Sequence, residues 1–159
     1  MKIIEKNPNT PDAFLLMDEL SENLESITGD SGRHSFNPDD VCVSRGLFVI
    51  AYNEDGEAIG CGAIRPINEN IAEVKRMFAK SKKMGVGTEI LLYLETQARK
   101  LGYSAIWLET RLVNERAVSF YENRGYHGIL NYGRYINNLE AVCFEKHIIE
   151  LEGFYEKNK

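Results

Sequence analysis

The chain has 159 residues, 43% of them hydrophobic and 27% charged, which suits one globular domain and excludes a disordered segment. A chain of this length buries roughly 70% of its unfolded surface, so a core forms without disulfides or metals. Nineteen Lys and Arg against twenty-four Asp and Glu leave a net charge of −5, which excludes a general binder of nucleic acid or of anionic membranes. Cys42, Cys61 and Cys143 are scattered without a CxxC pair, and His34, His127 and His147 do not cluster with them. That spacing fits reduced thiols and offers no metal-binding set. The N-terminus lacks an apolar h-region, and no apolar run approaches the roughly 18 residues of a membrane span. The sequence therefore reads as a cytoplasmic, soluble domain over residues 1–149, with a peripheral tail over 150–159.

In chain order, MKIIEK reads as a short strand. Thr10 followed by Pro11 predicts a helix N-cap and first turn, with Leu16, Leu20, Leu24 and Ile27 at helical spacing and Gly29 as the stop. Residues 30–45 read as irregular, with a short helix after Pro38. Gly46–Tyr52 and Ala58–Ile67 predict a hairpin about Asn53-Glu54-Asp55-Gly56. A third strand spans Ile71–Ala79. A helix over Val86–Lys100 then places Leu91, Leu94, Ala98 and Leu101 on one face, and Gly102 closes it. Ser104–Glu109 is a strand, parallel to the preceding one because a helix joins them. Asn114 caps another helix, with Val113 and Val118 as a hydrophobic staple and Ala117, Phe120 and Tyr121 inward. Gly125 ends it, and Leu139–Ile149 reads as one or two final strands. The fold class is α/β (α+β): a mixed sheet with helices packed on it.

The stretch VKRMFAKSKKMGVGTEIL holds Lys75, Arg76, Lys80, Lys82 and Lys83 with no acid before Glu89. Gly85 and Gly87 sit where strand gives way to helix. Glycine admits a ligand close to the backbone, and the free N–H groups and dipole of a helix start attract anions. The pattern predicts a site for a diphosphate. It is neither GxGxxG, since Ile90 stands three after Gly87, nor a P-loop, since no Gly-Lys-Ser/Thr follows.

Lys82-Lys83-Met84-Gly85-Val86-Gly87 resembles the Gln/Arg-x-x-Gly-x-Gly/Ala signature of the GNAT N-acetyltransferase superfamily, with Lys82 where that family usually has Gln or Arg. The likeness extends over nearly the whole chain, through Gly60–Arg65, Ala72–Phe78, Leu108-Glu109-Thr110, Asn114–Tyr126 and Val142–Lys146. It implies a mostly antiparallel sheet with one parallel strand–helix–strand unit, helices on both faces, and binding of acetyl-CoA. By analogy, Lys82, Lys83, Met84 and the amides of Gly85, Val86, Gly87 and Thr88 hold the pyrophosphate. Met77, Phe78 and Ala79 meet the pantetheine arm. Asn114, Ala117, Phe120 and Tyr121 complete the cofactor site. A homodimer is common among similar proteins.

Acetylating an amine needs a base, because an alkyl ammonium is only about one part in 2,500 neutral at pH 7. It is also helped by an acid for the departing thiolate, a duty within reach of a tyrosine. The resemblance makes Tyr121 the acid and offers Glu73 as a base, since relatives that acetylate histones use a glutamate at a similar place; Glu109, at the C-terminal end of the next strand, is the alternative, acting through water. A water or an already neutral amine serves equally well. Cys61, in a Gly-Cys-Gly strand, reads as core rather than as a nucleophile.

The acceptor is open. Asn7–Gly32 carries Asp12, Asp18, Glu19, Glu22, Glu25 and Asp30 with no Lys or Arg, which suits a cationic amine or a solvated helix face. Tyr132, Arg134 and Tyr135 form a substrate-side cluster, and Arg134 suits an acceptor bearing a carboxylate. The leading expectation is an N-acetyltransferase for a small-molecule or protein amine, acting by direct transfer in a ternary complex. Its rival is a non-catalytic acyl-CoA-binding sensor of the same fold. The acidic remainder of the chain argues against a nucleic-acid binder.

Overall fold

The computed structural model describes residues 1–81 and 85–148. The elements in order are β1 (Lys2–Glu5), α1 (Pro11–Thr28), β2 (Leu47–Tyr52), β3 (Ala58–Pro66), β4 (Ile71–Ala79), α2 (Val86–Lys100), β5 (Ala105–Arg111), α3 (Glu115–Glu122), β6 (His127–Ile129) and β7 (Ala141–His147). Short 3₁₀ turns occupy Arg33–Ser35, Pro38–Asp40 and Gly133–Tyr135. The strands form one seven-stranded sheet in the order β1-β2-β3-β4-β5-β7-β6. All pairs are antiparallel except β4–β5, so the expected mixed sheet with one parallel unit is present.

Alternation along the strands divides the core. Phe48, Ile50, Cys61 and Ala63 pack against Ala13, Leu16 and Met17 of α1. The opposite side chains, including Val49, Ile64 and Val74, pack against Ile90, Leu91 and Leu94 of α2 and Tyr121 of α3. Helices thus cover both faces, as the resemblance implies. Burial of these side chains contributes about 1.5–3 kcal/mol each before the opposing entropy is subtracted.

Several local expectations are corrected. Thr10 occupies the N-cap position, but its hydroxyl donates back to the Asn7 carbonyl at 2.9 Å rather than capping α1. Val113 is 61% exposed, so Val118 packs on the core without the predicted staple. Leu139 lies outside any strand, and β6 begins at His127, directly after the Gly125 turn. Ile149 and the tail over 150–159 lie outside the described residues.

Besides a register shift between Ala51 and Tyr52 in the β2–β3 pair, two irregularities in β4 bear on the site. Cys61 pairs with Phe78 and Ala63 with Lys75, so Gly62 alone opposes Arg76 and Met77. This is a β-bulge, with Arg76 at φ 54. A Cβ on Gly62 would sit 2.7 Å from the Met77 sulfur and 2.9 Å from Ile90 Cγ2, which accounts for glycine there. The second irregularity is that β4 and β5 pair only through Ile71–Ala105, Ala72–Ile106 and Glu73–Trp107. Beyond Glu73 the two strands part.

Candidate active site

The parting of β4 from β5 opens a groove of about 360 Å³. Its floor is Met77, Phe78 and Ala79 of β4, and its far end is the start of α2. Gly85, the residue before α2, takes φ 67, a left-handed conformation that favours glycine, with open space where a Cβ would stand. Gly85, as the N-cap residue, contributes no side-chain hydrogen bond to the start of α2, and a helix start of this kind suits an anion. Gly87 lies beneath Phe120, whose ring would be 3.3 Å from a Cβ there.

Arg116 and Arg124 also line the groove. Arg124 is held in place. Its Nε and Nη2 donate to Thr88 Oγ1 at 3.0 and 2.5 Å, its Nη1 donates to the Phe120 carbonyl, and its guanidinium stacks 3.8 Å from the Phe120 ring centroid. The side chain of Asn114 accepts from the Ala117 amide and starts α3. Asn114 and Ala117 therefore stand along the groove wall.

The groove runs into a cavity of about 380 Å³, and Tyr121, Asn114, Ala117, Met77, Leu20 and Leu24 line both. Tyr121 is 8% exposed, and burial pushes its phenol up from the usual value. It stays protonated at neutral pH. Its ring meets Phe120 and Tyr126 edge-on, and among the described residues its hydroxyl has no hydrogen-bond partner.

The cavity is lined by Glu109, Arg111, Asp30, Lys75, Arg76 and Arg134 among its charged residues. Burial raises the Glu109 carboxyl above its usual value, against the pull of Arg111 and Lys75. Arg111 pairs with Glu109 and, at 3.6 Å, with Asp30. The Gly32 amide, His34 and Arg111 hold Asp30 low. Burial also lowers Lys75, with Glu73 and Glu109 opposing.

Glu73 lies elsewhere. It lines a second cavity of about 390 Å³ that reaches Arg65, Trp107 and Tyr132 but not Tyr121. The Tyr132 hydroxyl donates to its Oε2, and Arg65 Nε lies 3.2 Å and Lys75 Nζ 3.9 Å from its Oε1. Tyr132 also packs on Trp107 at 4.8 Å between centroids. Lys75, Arg134 and Tyr135 form the partition between the two cavities. Tyr135 is buried and accepts from Lys75 Nζ at 3.0 Å, whereas Arg134 is exposed and donates to the His34 carbonyl at 2.8 Å.

Of the basic run, the three described members, Lys75, Arg76 and Lys80, do not converge on the glycine turn. Lys75 faces the cavities, Arg76 donates to Ser21 Oγ and the Met17 carbonyl of α1, and Lys80 pairs with Glu19 at 3.2 Å. Strand alternation and the bulge send these side chains apart. Lys82, Lys83 and Met84 lie outside the described residues. The cations that do line the groove, Arg116 and Arg124, come from α3 and the turn after it, and the sequence reading missed them. Their one signal was nearness to the Asn114 cap. Cys61 is fully buried with its thiol pushed up to about 12, and it donates to the Arg76 carbonyl, which suits core and not a nucleophile.

Comparison with known proteins bears on the fold and the family. IAA acetyltransferase of Azospirillum brasilense is 28% identical over 147 residues, covering 91% of this chain and 95% of that protein. "Probable N-acetyltransferase 14" of Xenopus tropicalis is 34% identical over 85 residues, and the match spans 52% of this chain but only 41% of that protein. The structure of a GNAT family acetyltransferase from Elizabethkingia anophelis with acetyl-CoA bound superposes with a TM-score of 0.66 at 16% identity, covering 92% of this chain and 97% of the other. Among the described residues, no helix is long and apolar enough to cross a membrane. The acetyltransferase (GNAT) family description matches residues 15–126, and the chain belongs to that family.

Proposed function

We propose that the chain is an acetyl-CoA-dependent N-acetyltransferase that acts on a primary amine by direct transfer, with cofactor and acceptor bound together. The observation that carries this reading is the junction. A groove ending on a helix start opens into a charged cavity, and Tyr121 stands in both. The groove suits the cofactor: the helix start at Gly85–Thr88 and the Arg116 and Arg124 guanidiniums fit a diphosphate. The unpaired edge of β4 at Met77–Ala79 fits an amide-bearing arm laid alongside it. Acetyl-CoA supplies the acetyl group as an activated thioester.

The chain supplies positions and protons. Glu109 takes a proton from the acceptor ammonium at its carboxylate, a role favoured by its place in the cavity and by the burial that raises its basicity. Tyr121 holds a proton at its hydroxyl oxygen where groove and cavity meet. Glu73, enclosed by Tyr132 and Arg65 in the neighbouring cavity, acts on the partition and not at the junction. Tyr132, Arg134 and Tyr135 shape the acceptor side.

A free phenolic hydroxyl at the junction favours an enzyme over a sensor, which has no use for one. The test is thiol release from acetyl-CoA with a panel of amines, beside calorimetric titration of acetyl-CoA. Saturable binding with turnover supports the proposal; saturable binding with no turnover on any amine assigns the sensor role.

A further inference from the structure

The charges around the acceptor cavity are unbalanced, and the imbalance selects a class of acceptor. Lys75, Arg76, Arg111 and Arg134 line the cavity against only Asp30 and Glu109. Both carboxylates are already engaged by Arg111. Among the described residues Arg76 and Arg134 have no carboxylate partner. Among the described residues Lys75 has one carboxylate within 4 Å, Glu73 at 3.9 Å and beyond hydrogen-bond distance, and Glu109 attracts it from further off. The Lys75 side chain is 10% exposed, yet of the three protons an ammonium can donate one goes to Tyr135. Arg76 Nε is buried with no hydrogen-bond partner.

The acids in and after α1 do not gather at the cavity: several are paired within the fold, and Glu22 and Glu25 are exposed and absent from its lining. Asp12 accepts from the Tyr52 hydroxyl, Asp18 pairs with Arg33 and Glu19 with Lys80. Of the acids of that stretch, Asp30 alone lines the cavity. An acceptor that is only a cation would be repelled here, and a buried cation short of countercharge is itself costly.

We infer that the acceptor carries an anionic group beside its amine, held by Lys75 and Arg134 at the partition, so that amino-acid-like amines are taken and polycations are refused. This rests on the acetyltransferase reading and narrows its substrate. Lys75 supplies a buried point charge, and Arg134 at the open rim supplies a planar fork for the same anion. The amine then points to Glu109 and Tyr121.

The test compares kcat/KM for L-amino acids, the matching carboxamides, phosphoethanolamine, spermidine and an aminoglycoside, and measures the rise in Tm that each gives in the presence of coenzyme A. Each acid is expected to exceed its carboxamide by about 100-fold, the scale of a lost charge-assisted contact. Arg134→Ala is expected to shrink that ratio about tenfold, with Arg134→Lys restoring part of it. Turnover of phosphoethanolamine but of no amino acid would make the anion a phosphate. Best turnover on spermidine or the aminoglycoside, or an acid-to-amide ratio near one, overturns the inference and leaves the acetyltransferase reading intact. Coenzyme A binding with no Tm response to any anionic amine overturns the inference as well, whatever the turnover. Failure to bind acetyl-CoA overturns both.

Discussion

Tyr126 stands edge-on to Tyr121, with ring centroids 5.7 Å apart, and donates its hydroxyl to the buried Glu95 of α2 at 2.9 Å. Lys146 of β7 donates to the same carboxylate at 3.1 Å. Glu95 is 1% exposed, so this contact joins α2, β7 and the end of α3 behind the phenol at the junction. Tyr126→Phe leaves the carboxylate one donor short, a loss of about 1–3 kcal/mol for a buried group. The expected result is a clear fall in Tm by calorimetry; an unchanged Tm would mean that water replaces the hydroxyl.

Tyr121→Phe removes one oxygen and keeps the ring packing. If the phenol serves as the acid, kcat falls by about 10²-fold or more. Acetyl-CoA affinity, measured by titration, holds, because the groove contacts are otherwise intact. Equal kcat values for variant and parent would end that role.

Glu109 gives a pH signature. Its folded carboxyl is raised above the usual 4.5 by burial, and only the ionised form accepts a proton. The acid limb of the pH–rate profile is therefore expected above 4.5, and Glu109→Gln should abolish that limb and lower kcat by about 10²–10⁴-fold. Linkage has the matching sign. The folded protein holds this proton more tightly than the unfolded chain, so the group stabilises the fold below its unfolded value, and that contribution is lost as pH rises through the folded one. A limb that survives in Glu109→Gln would assign the base elsewhere.

Gly85→Asp tests the groove. The position is left-handed at φ 67 with nothing near a Cβ, so the fold bears a strain of about 1–2 kcal/mol. The new carboxylate faces the same helix start that a diphosphate would use. Acetyl-CoA binding should disappear from the titration while the far-UV spectrum stays that of the parent; retained affinity would move the phosphates away from Gly85.

The element boundaries were legible because they are written locally. Gly29, Asn53–Gly56, Gly102 and Gly125 stop helices or turn strands within a few residues of the cause. Of the residues that line the candidate groove, a motif singles out only some, among them Gly85–Thr88, Asn114 and Tyr121. The rest depends on contacts far apart in sequence. The left-handed φ at Arg76 is set by the register of β3 on β4, since an arginine gives no local sign of it. The placement of β7 between β5 and β6 cannot be read from chain order. The contiguous basic run reads as one cationic patch, but strand geometry distributes its described members, Lys75, Arg76 and Lys80, among the cavity, α1 and a surface pair. The arginine in the groove instead reaches Thr88 from 36 positions further along the chain.

The separation of β4 from β5 after Glu73 also bears on solubility. A strand edge with free N–H and C=O groups normally invites pairing with other chains and so aggregation. Here the exposed stretch of β4 lies in the interior, with α1 packed on one side of the sheet and α2 and α3 on the other. A slender ligand can slide into such a slit, whereas a foreign strand with side chains on both faces would collide with the helices. The protein thus keeps a sticky edge in working order without offering it to its neighbours.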